Sequence, residues 1–192
     1  MNREGPKERL LAAVIEHMAA NGAADLSLRQ LAVQVGTSHR MLLYHFGSKE
    51  QLLVEVIGEV EARQQAMFIE LLTEFDVDPH ATPLDLMRAF WQRIADPALH
   101  PYERLFFEMY GQALQRRPGT TQLLDGVIDS WLEPMAELGR RHGLPDTTAR
   151  AQARLGIAVA RGLLLDLLAT GDRVAVDAAA DLFFTDARTR LR

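Results

Sequence analysis

Residues 26–53 read LSLRQLAVQVGTSHRMLLYHFGSKEQLL, and this stretch decides the fold. Ser27 stands three residues before Gln30, the spacing of a capping box, and predicts the start of a short helix. Gly36 closes that helix, and a second short helix runs on to about Phe46. Two short helices joined by a tight turn form a helix-turn-helix, so the stretch predicts that motif.

The second helix of such a motif enters the major groove of DNA with its N-terminal residues at the base edges. This placement favours small or polar residues at the start of the helix and apolar anchors behind them. Thr37 and Ser38 are candidate caps at the start, and Leu42 and Phe46 lie four residues apart on one face. Ser48 then predicts the cap of a long fourth helix.

The rest of the chain shows helical periodicity almost throughout and no persistent alternating run. We therefore predict an all-α fold in which an N-terminal three-helix helix-turn-helix domain precedes a C-terminal helical bundle. The prediction includes a loop at 76–83 and a kink or a shifted boundary at Pro134. About nine helices are expected, near 10–21, 28–35, 38–46, 48–75, 83–95, 101–115, 119–141, 147–169 and 173–190.

The composition of the chain limits the classes of function that it can have. The 192 residues are 48% apolar, contain no cysteine and carry a net charge of −5. Residues 1–50 hold 6 Lys and Arg against 5 Asp and Glu, so the acidity lies in the remainder of the chain. A nucleic-acid site in the first fifty residues would therefore depend on a few placed cations and not on a broad basic field.

Residues 10–53 resemble the DNA-binding domain of the TetR family. The resemblance rests on the apolar first helix, the Gly36 turn, Leu42, the His45-Phe46 pair, Lys49 and Leu52. It implies a helix-turn-helix domain at 1–53 and a helical ligand-binding and dimerisation domain at 54–192. It further implies a transcription regulator, acting as a repressor that a small-molecule effector releases from a palindromic double-stranded DNA operator.

The resemblance also implies roles for individual residues. Arg29, near the start of the second helix, is expected at a phosphate or a base. Tyr44 and His45 are expected against the DNA backbone, and Lys49 at a phosphate. The full set of expected DNA-binding residues is Arg29, Thr37, Ser38, His39, Arg40, Met41, Tyr44, His45 and Lys49.

Two of these roles have physical support without the resemblance. A lysine in the first turn of a helix opposes the helix dipole, at a cost of about 0.3–1 kcal/mol. A bound phosphate would reverse that cost for Lys49, because both the ammonium and the helix N–H groups attract it. Arg40 has the two parallel donors that recognise a guanine edge.

The chain departs from the family pattern at one position. The family usually has tyrosine directly after the anchoring leucine, where this chain has Leu43. A phosphate-contacting hydroxyl is therefore expected to be missing at that point. Tyr44, one residue further on, replaces it only in part.

The resemblance implies that the last two helices form a four-helix homodimer interface, although packing within the chain would explain the same pattern. The interface candidates are Leu155, Val159, Gly162, Val176, Ala180 and Phe183. A ligand pocket is expected among the helices of residues 83–169, where an ordinary aromatic core is the alternative. Its candidate residues are Met87, Trp91, Phe106, Tyr110, Trp131 and Asp166. The apolar neighbours of Asp166 in the sequence predict that it is buried.

Two rival readings remain. One is a TetR-like DNA binder without a small-molecule ligand: an activator, an architectural protein or a protein-controlled one. The other is an all-helical enzyme, for which no HExxH, CxxC, P-loop or GxSxG motif is present and the histidines His80, His100 and His142 are scattered. We expect no enzyme activity, cofactor or metal. With no signal peptide and no apolar run long enough to span a bilayer, we expect a cytoplasmic protein without membrane contact.

Overall fold

The computed structural model describes residues 5–23, 27–76 and 82–190. These ranges contain nine α-helices, two short 3-10 helices (Pro97–Leu99 and Thr121–Leu124) and no β-strand. The all-α prediction is confirmed. In chain order the helices are α1 (Pro6–Asn21), α2 (Leu28–Gln34), α3 (His39–Phe46), α4 (Lys49–Asp76), α5 (Pro83–Ile94), α6 (His100–Leu114), α7 (Asp129–Arg141), α8 (Asp146–Thr170) and α9 (Arg173–Arg190).

Local signals fix the ends of the short helices. The Ser27 hydroxyl accepts the Gln30 N–H at 3.2 Å, and the Gln30 side chain accepts the Ser27 N–H at 3.0 Å, which is the reciprocal capping box. The Ser38 hydroxyl accepts the Met41 N–H at 3.2 Å and begins α3. The Ser48 hydroxyl accepts the Gln51 N–H at 3.1 Å and begins α4.

The start of one predicted helix is wrong. The expected helix over 119–141 is a 3-10 turn at Thr121–Leu124 followed, only from Asp129, by α7. Gly126 lies between them with a φ of 72°, a conformation that cannot continue a right-handed helix. Pro134 lies inside α7, where it has no N–H to donate to the carbonyl of Ser130. Of the predicted loop at 76–83, residues 77–81, including His80, lie outside the described residues.

The backbone divides into two compact units. The first consists of residues 1–62 and 101–125, and the second of 63–100 and 126–192, over the parts of each that the structure describes. The first unit therefore combines α1, α2, α3 and the first half of α4 with α6. Its most deeply buried side chains include Val14, Ile15, Leu42 and Met109.

An aromatic cluster forms part of the core of the second unit. The rings of Phe68 and Phe90 lie 5.1 Å apart in an edge-on arrangement, and the Trp131 ring lies 5.8 Å from that of Phe90. All three side chains are buried. No helix in the described part of the chain is long and apolar enough to cross a membrane.

An ion-pair network ties the end of α7 to the start of α8. The Arg140 guanidinium reaches Glu137 at 2.9 Å and Asp146 at 2.8 Å, and it also pairs with Glu133. Arg150 reaches Glu133 at 2.7 Å. Hydrogen bonds from Arg140 hold the pKa values of Glu133 and Glu137 below the usual glutamate range, with Arg150 contributing at Glu133.

This network makes the stabilising effect of Arg140 depend on pH. A carboxyl group with a lowered pKa stabilises the fold above the ordinary glutamate pKa of about 4.3, and this stabilisation is lost as the pH falls below it. Arg140→Met should therefore lower the midpoint of thermal unfolding at pH 7 and lower it less at pH 3.5. Midpoints of wild type and variant across that range check this; a difference that stays constant down to pH 3.5 would contradict the assigned role.

Candidate nucleic-acid interface

The α2 and α3 helices are joined by a tight turn. The N–H of Gly36 donates to the carbonyl of Val33 at 3.2 Å, and the N–H of Thr37 donates to the carbonyl of Ala32 at 2.8 Å. Gly36 has a φ of 70°, which a residue with a side chain adopts only at a cost. This glycine therefore allows the chain to reverse between two helices of seven and eight residues.

One side of α3 is buried, and the opposite side is exposed to solvent. Leu42 and Phe46 are 1% and 3% exposed, whereas the ring of Tyr44 is 78% exposed. At 100° per residue, Arg40 and Tyr44 lie one turn apart on the side opposite the two anchors. We call the exposed side chains Arg40, Met41, Leu43 and Tyr44 the recognition face.

The predicted DNA-binding residues lie around this face. Thr37, His39, His45 and Lys49 are half-buried, and Arg29, Ser38, Arg40, Met41 and Tyr44 are exposed. The Ser38 hydroxyl accepts the Met41 N–H, so its first role is to cap α3. Its hydroxyl proton remains available to an outside acceptor. The rings of Tyr44 and His45 meet edge-on at 5.0 Å.

Lys49 is the first residue of α4, as the sequence predicts. It borders a small apolar cleft that Met18, Leu28 and Leu52 also line. The next residue, Glu50, has its pKa held low by the backbone N–H at the helix start and by the Ser48 hydroxyl. The Glu50 side chain lies against Gly119, where a Cβ would come within 2.0 Å of its Cγ. This contact requires glycine at 119 in the observed arrangement.

Contacts from distant parts of the chain hold the helix-turn-helix in place. The Lys7 ammonium pairs with Glu55 at 2.9 Å and lies 5.4 Å from the centre of the Phe46 ring, and thus links α1, α3 and α4. The Glu108 carboxylate of α6 accepts the N–H of Ala23 at 3.1 and 3.2 Å. Sequence reasoning missed these contacts, because residues 48 and 85 positions apart give no local signal of pairing.

A second contact joins α6 to α1. The Tyr102 hydroxyl donates to the Glu16 carboxylate at 2.8 Å. Gln112 donates to Glu108 at 3.2 Å and orients the carboxylate that receives the Ala23 N–H. The helix α6 is thus fastened to both the middle and the C-terminal end of α1.

The six predicted ligand-binding residues are divided between the two units. Trp91 and Trp131 are buried in the second unit, where the Trp91 N–H donates to Asp177 at 2.7 Å. Phe106 and Tyr110 belong to the first unit and stack with their ring centres 5.6 Å apart. The expectation of a buried Asp166 is wrong, since this residue is exposed.

Of the six, Met87 alone borders a cavity described in the second unit. This cavity has a volume of about 130 Å³ and lies among α5, α7, α8 and α9. Small residues of α7 and α8, Gly139 and Ala149 among them, let those two helices approach closely beside it. Its lining residues are Pro83, Met87, Met135, Leu138, Gly139, His142, Ala149, Gln152, Ala153, Leu155, Gly156 and Phe183.

The predicted interface residues of α8 and α9 separate into two groups. Val176 and Ala180 are 2% and 1% exposed, because they face the chain's own core and are not available to a partner. That part of the prediction is corrected. Leu155 and Gly162 are exposed, while Val159 and Phe183 are half-buried.

Another face of the same two helices is apolar and exposed. On α8 its members recur at alternating spacings of three and four residues: Leu155, Ala158, Gly162, Leu165 and Ala169. On α9 its members are Val174, Ala178 and Leu182. We call this the α8–α9 face. Leu165 and Leu182 are 52% and 74% exposed, so this apolar face is available to a partner surface.

The geometry defines a helix-turn-helix protein, and comparison with known proteins finds a family match for this segment. Residues 10–56 match the family model described as bacterial regulatory proteins, tetR family. The match covers 47 of the 192 residues and assigns a family to the helix-turn-helix segment alone.

Individual relatives agree with this assignment. The transcriptional repressor NicS of Pseudomonas putida is 25% identical over 141 residues, which is 72% of this chain and 65% of NicS. The match thus spans less than two thirds of that relative. A transcriptional regulator from Rhodococcus sp. Rha1 superimposes with a TM-score of 0.77 at 19% identity, covering 94% of this chain and 95% of its own. A regulator from Saccharomonospora viridis, crystallised with choline, gives 0.68 at 20% identity, covering 94% and 93%.

The contact between Glu108 and Ala23 generates a prediction about stability. Glu108→Ala leaves the partly buried Ala23 N–H without its acceptor and should lower the free energy of unfolding by about 1–3 kcal/mol. Glu108→Gln keeps an oxygen acceptor at the same distance and should cost less. Urea unfolding of both variants measures the difference, and equal losses would show that Glu108 acts only through its charge.

Proposed function

We propose that this protein is a DNA-binding transcriptional repressor that leaves a palindromic operator when a small molecule binds its second unit. The observation that carries the proposal is the recognition face of α3. An arginine and a tyrosine project one turn apart from the side opposite two buried anchors, on a helix whose start is capped by Ser38.

Arg40 is the residue proposed to read sequence. Its guanidinium can donate two parallel hydrogen bonds to the O6 and N7 atoms of guanine in the major groove. The exposed side chains of Met41 and Leu43 flank it and offer apolar contact to a thymine methyl group. Tyr44, which is 78% exposed, has a hydroxyl that can reach the DNA backbone.

Lys49 is the proposed phosphate contact. It lies where the N–H groups at the start of α4 and a positive charge together attract an anion. At the position before Tyr44, Leu43 provides no hydroxyl for a second phosphate contact. With few cations on this surface, we expect affinity to fall less steeply with salt than for a protein with a broad basic patch.

A dimer follows from the α8–α9 face and from the geometry of DNA. Two recognition helices read a palindrome when they reach half-sites about 34–36 Å apart, one turn of the double helix. The α8–α9 face has the three-and-four spacing with which helices pack side by side. We propose that two copies pair through it into a four-helix bundle.

Release by a ligand requires that the ligand bind more tightly to the conformation that does not fit DNA. The cavity of the second unit is the proposed binding site, and α4, which supplies residues to both units, is the proposed connection to Lys49. The regulator from Saccharomonospora viridis, crystallised with choline, is a precedent for a small molecule bound to this fold. Regulation in the cytoplasm, without a catalytic step, is the function that this arrangement supports.

The alternative is a DNA binder of the same fold that responds to no small molecule. Its support is that Trp91, Phe106 and Trp131 are buried as ordinary core, so the larger aromatic side chains leave little open volume. A ligand that occupies the cavity and leaves DNA affinity unchanged would favour this alternative.

Substitutions on the recognition face should separate base reading from phosphate binding. On a duplex that the protein selects from a random pool, Arg40→Ala should cost about 1–3 kcal/mol per half-site and relax the choice of one base pair. Lys49→Ala should weaken binding to all sequences and lower the slope of log affinity against log salt by about 1 per subunit. Fluorescence anisotropy from 50 to 300 mM salt would measure both effects.

Arg104→Ala is the matched control, since this arginine is exposed on α6 and belongs to neither the recognition face nor the α8–α9 face. It should leave both the affinity and the slope unchanged. Equal effects of Arg40→Ala and Arg104→Ala would contradict the proposed recognition face. A lost sequence preference in the Lys49 variant would contradict the division of roles.

The proposed dimer interface can be tested by placing charge on it. Leu165→Arg and Leu182→Arg should each give a monomer in sedimentation equilibrium. In a dimer with two-fold symmetry each substitution would bury two arginines, one from each copy, and their charges would lose hydration without gaining a partner. Ile69→Arg is the control, because Ile69 is an exposed side chain of leucine size on α4. It should leave the mass of the dimer unchanged. A wild-type monomer, or dimers in both leucine variants, would refute the interface.

A further inference from the structure

The cavity of the second unit is the feature whose chemistry can be taken furthest. Residues from four helices line it. Pro83 and Met87 belong to α5, and Met135 belongs to α7. Gly156 belongs to α8, and Phe183 belongs to α9. All of its described lining residues belong to one compact unit. Its described walls are therefore built by packing within that unit.

Its size limits the ligand. The volume of about 130 Å³ is of the order of an engineered, closed apolar cavity of about 150 Å³ that binds benzene, and this cavity is also partly open to solvent. The flexible thioether side chains of Met87 and Met135 can adapt to the shape of what enters. A molecule of roughly six to eight non-hydrogen atoms matches this space.

Its charge limits the ligand further. None of the twelve described residues that line it is Asp, Glu, Lys or Arg. Placing a charged group in such surroundings without a partner costs much more than placing a neutral one. The described lining thus offers an ion-pair partner to neither a cation nor an anion.

Two polar side chains remain for orientation. Gln152, half-buried on α8, has an amide that both donates and accepts hydrogen bonds. His142, at the exposed rim, has its Nδ1 2.9 Å from the carbonyl of Leu138. A carbonyl only accepts, so Nδ1 carries the proton in this contact, and Nε2 of the neutral ring is an acceptor.

We propose that this cavity binds a small, neutral, mainly apolar molecule with one hydroxyl or similar group that hydrogen-bonds to Gln152. This inference rests on the proposed function for its biological consequence, since the molecule would be the effector that releases DNA. The binding itself is a property of the second unit. The proposed preference for a neutral ligand distinguishes this chain from the Saccharomonospora viridis regulator, whose structure contains the cation choline.

A pair of probes of the same shape tests the class of ligand. Choline and 3,3-dimethylbutan-1-ol differ only in a quaternary nitrogen or carbon at the centre. Titration calorimetry of the full chain without DNA should show the neutral alcohol binding at least about tenfold more tightly than choline, because only choline brings an unpaired charge into the cavity. Equal or tighter binding of choline, or no detectable binding of the alcohol, would overturn the proposal.

Two variants locate the binding. A Cβ at Gly156 would lie 3.6 Å from the Met135 Cε, an ordinary contact, so Gly156→Leu can be built with its longer branch in the cavity. It should abolish binding of the alcohol. Gly58→Leu, at an exposed helical glycine with open space around its Cβ position, is the matched control and should leave binding unchanged. Unaltered binding in a folded Gly156→Leu protein would overturn the site.

Gln152→Leu keeps the size of the side chain and removes its hydrogen bonds. This substitution should weaken binding of the alcohol by about tenfold, the scale of a lost hydrogen bond. Unchanged affinity for the alcohol would overturn the role of Gln152. Adding the alcohol to the protein–DNA complex is a separate measurement. Binding in the absence of DNA together with unchanged DNA affinity would contradict ligand-controlled repression while leaving the neutral-ligand site intact.

Discussion

Burial of Leu42 and Phe46 is the constraint on which the proposed interface depends. A helix of eight residues is too short to be stable in water through its own hydrogen bonds. Its orientation is set by the two side chains that it buries, and these fix Arg40 and Tyr44 on the opposite side. The Lys7 ammonium above the Phe46 ring adds an attraction that few surface lysines have.

The positions of the short helices could be predicted because their signals are local. Ser27, Gly36 and Ser38 each act on a backbone group within four residues, so the sequence alone contains both partners of the contact. The fold class and the nine helices follow from such signals and from apolar periodicity. Apolar periodicity does not show the break before α7, because a single glycine at 126 with a positive φ ends the helical backbone there.

Tertiary packing could not be predicted in the same way. The periodicity of α9 shows that apolar residues recur, but not which of its sides the chain itself covers. Its own core takes Val176 and Ala180, and Val174 and Leu182 remain exposed. The burial predicted for Asp166 is wrong for a related reason. Its apolar sequence neighbours point to several sides of α8, and the aspartate lies on an exposed side. The contact of Glu108 with Ala23 joins residues 85 positions apart and left no trace in either local sequence.

The second unit places two apolar surfaces on the same helices. Leu155 lines the cavity and also begins the α8–α9 face, so a single side chain borders both. A molecule in the cavity would therefore contact a residue that also belongs to the proposed dimer interface. Packed side chains with few alternative arrangements carry such effects over short distances.

The most direct test of the central claim is the selection of duplexes from a random pool by the purified protein, followed by sequencing. DNA reading by a dimer through α3 predicts a palindrome whose half-sites lie one helical turn, or a multiple of it, apart, with a guanine in each half-site. Recovery of no shared sequence, with binding that does not change with salt, would contradict it.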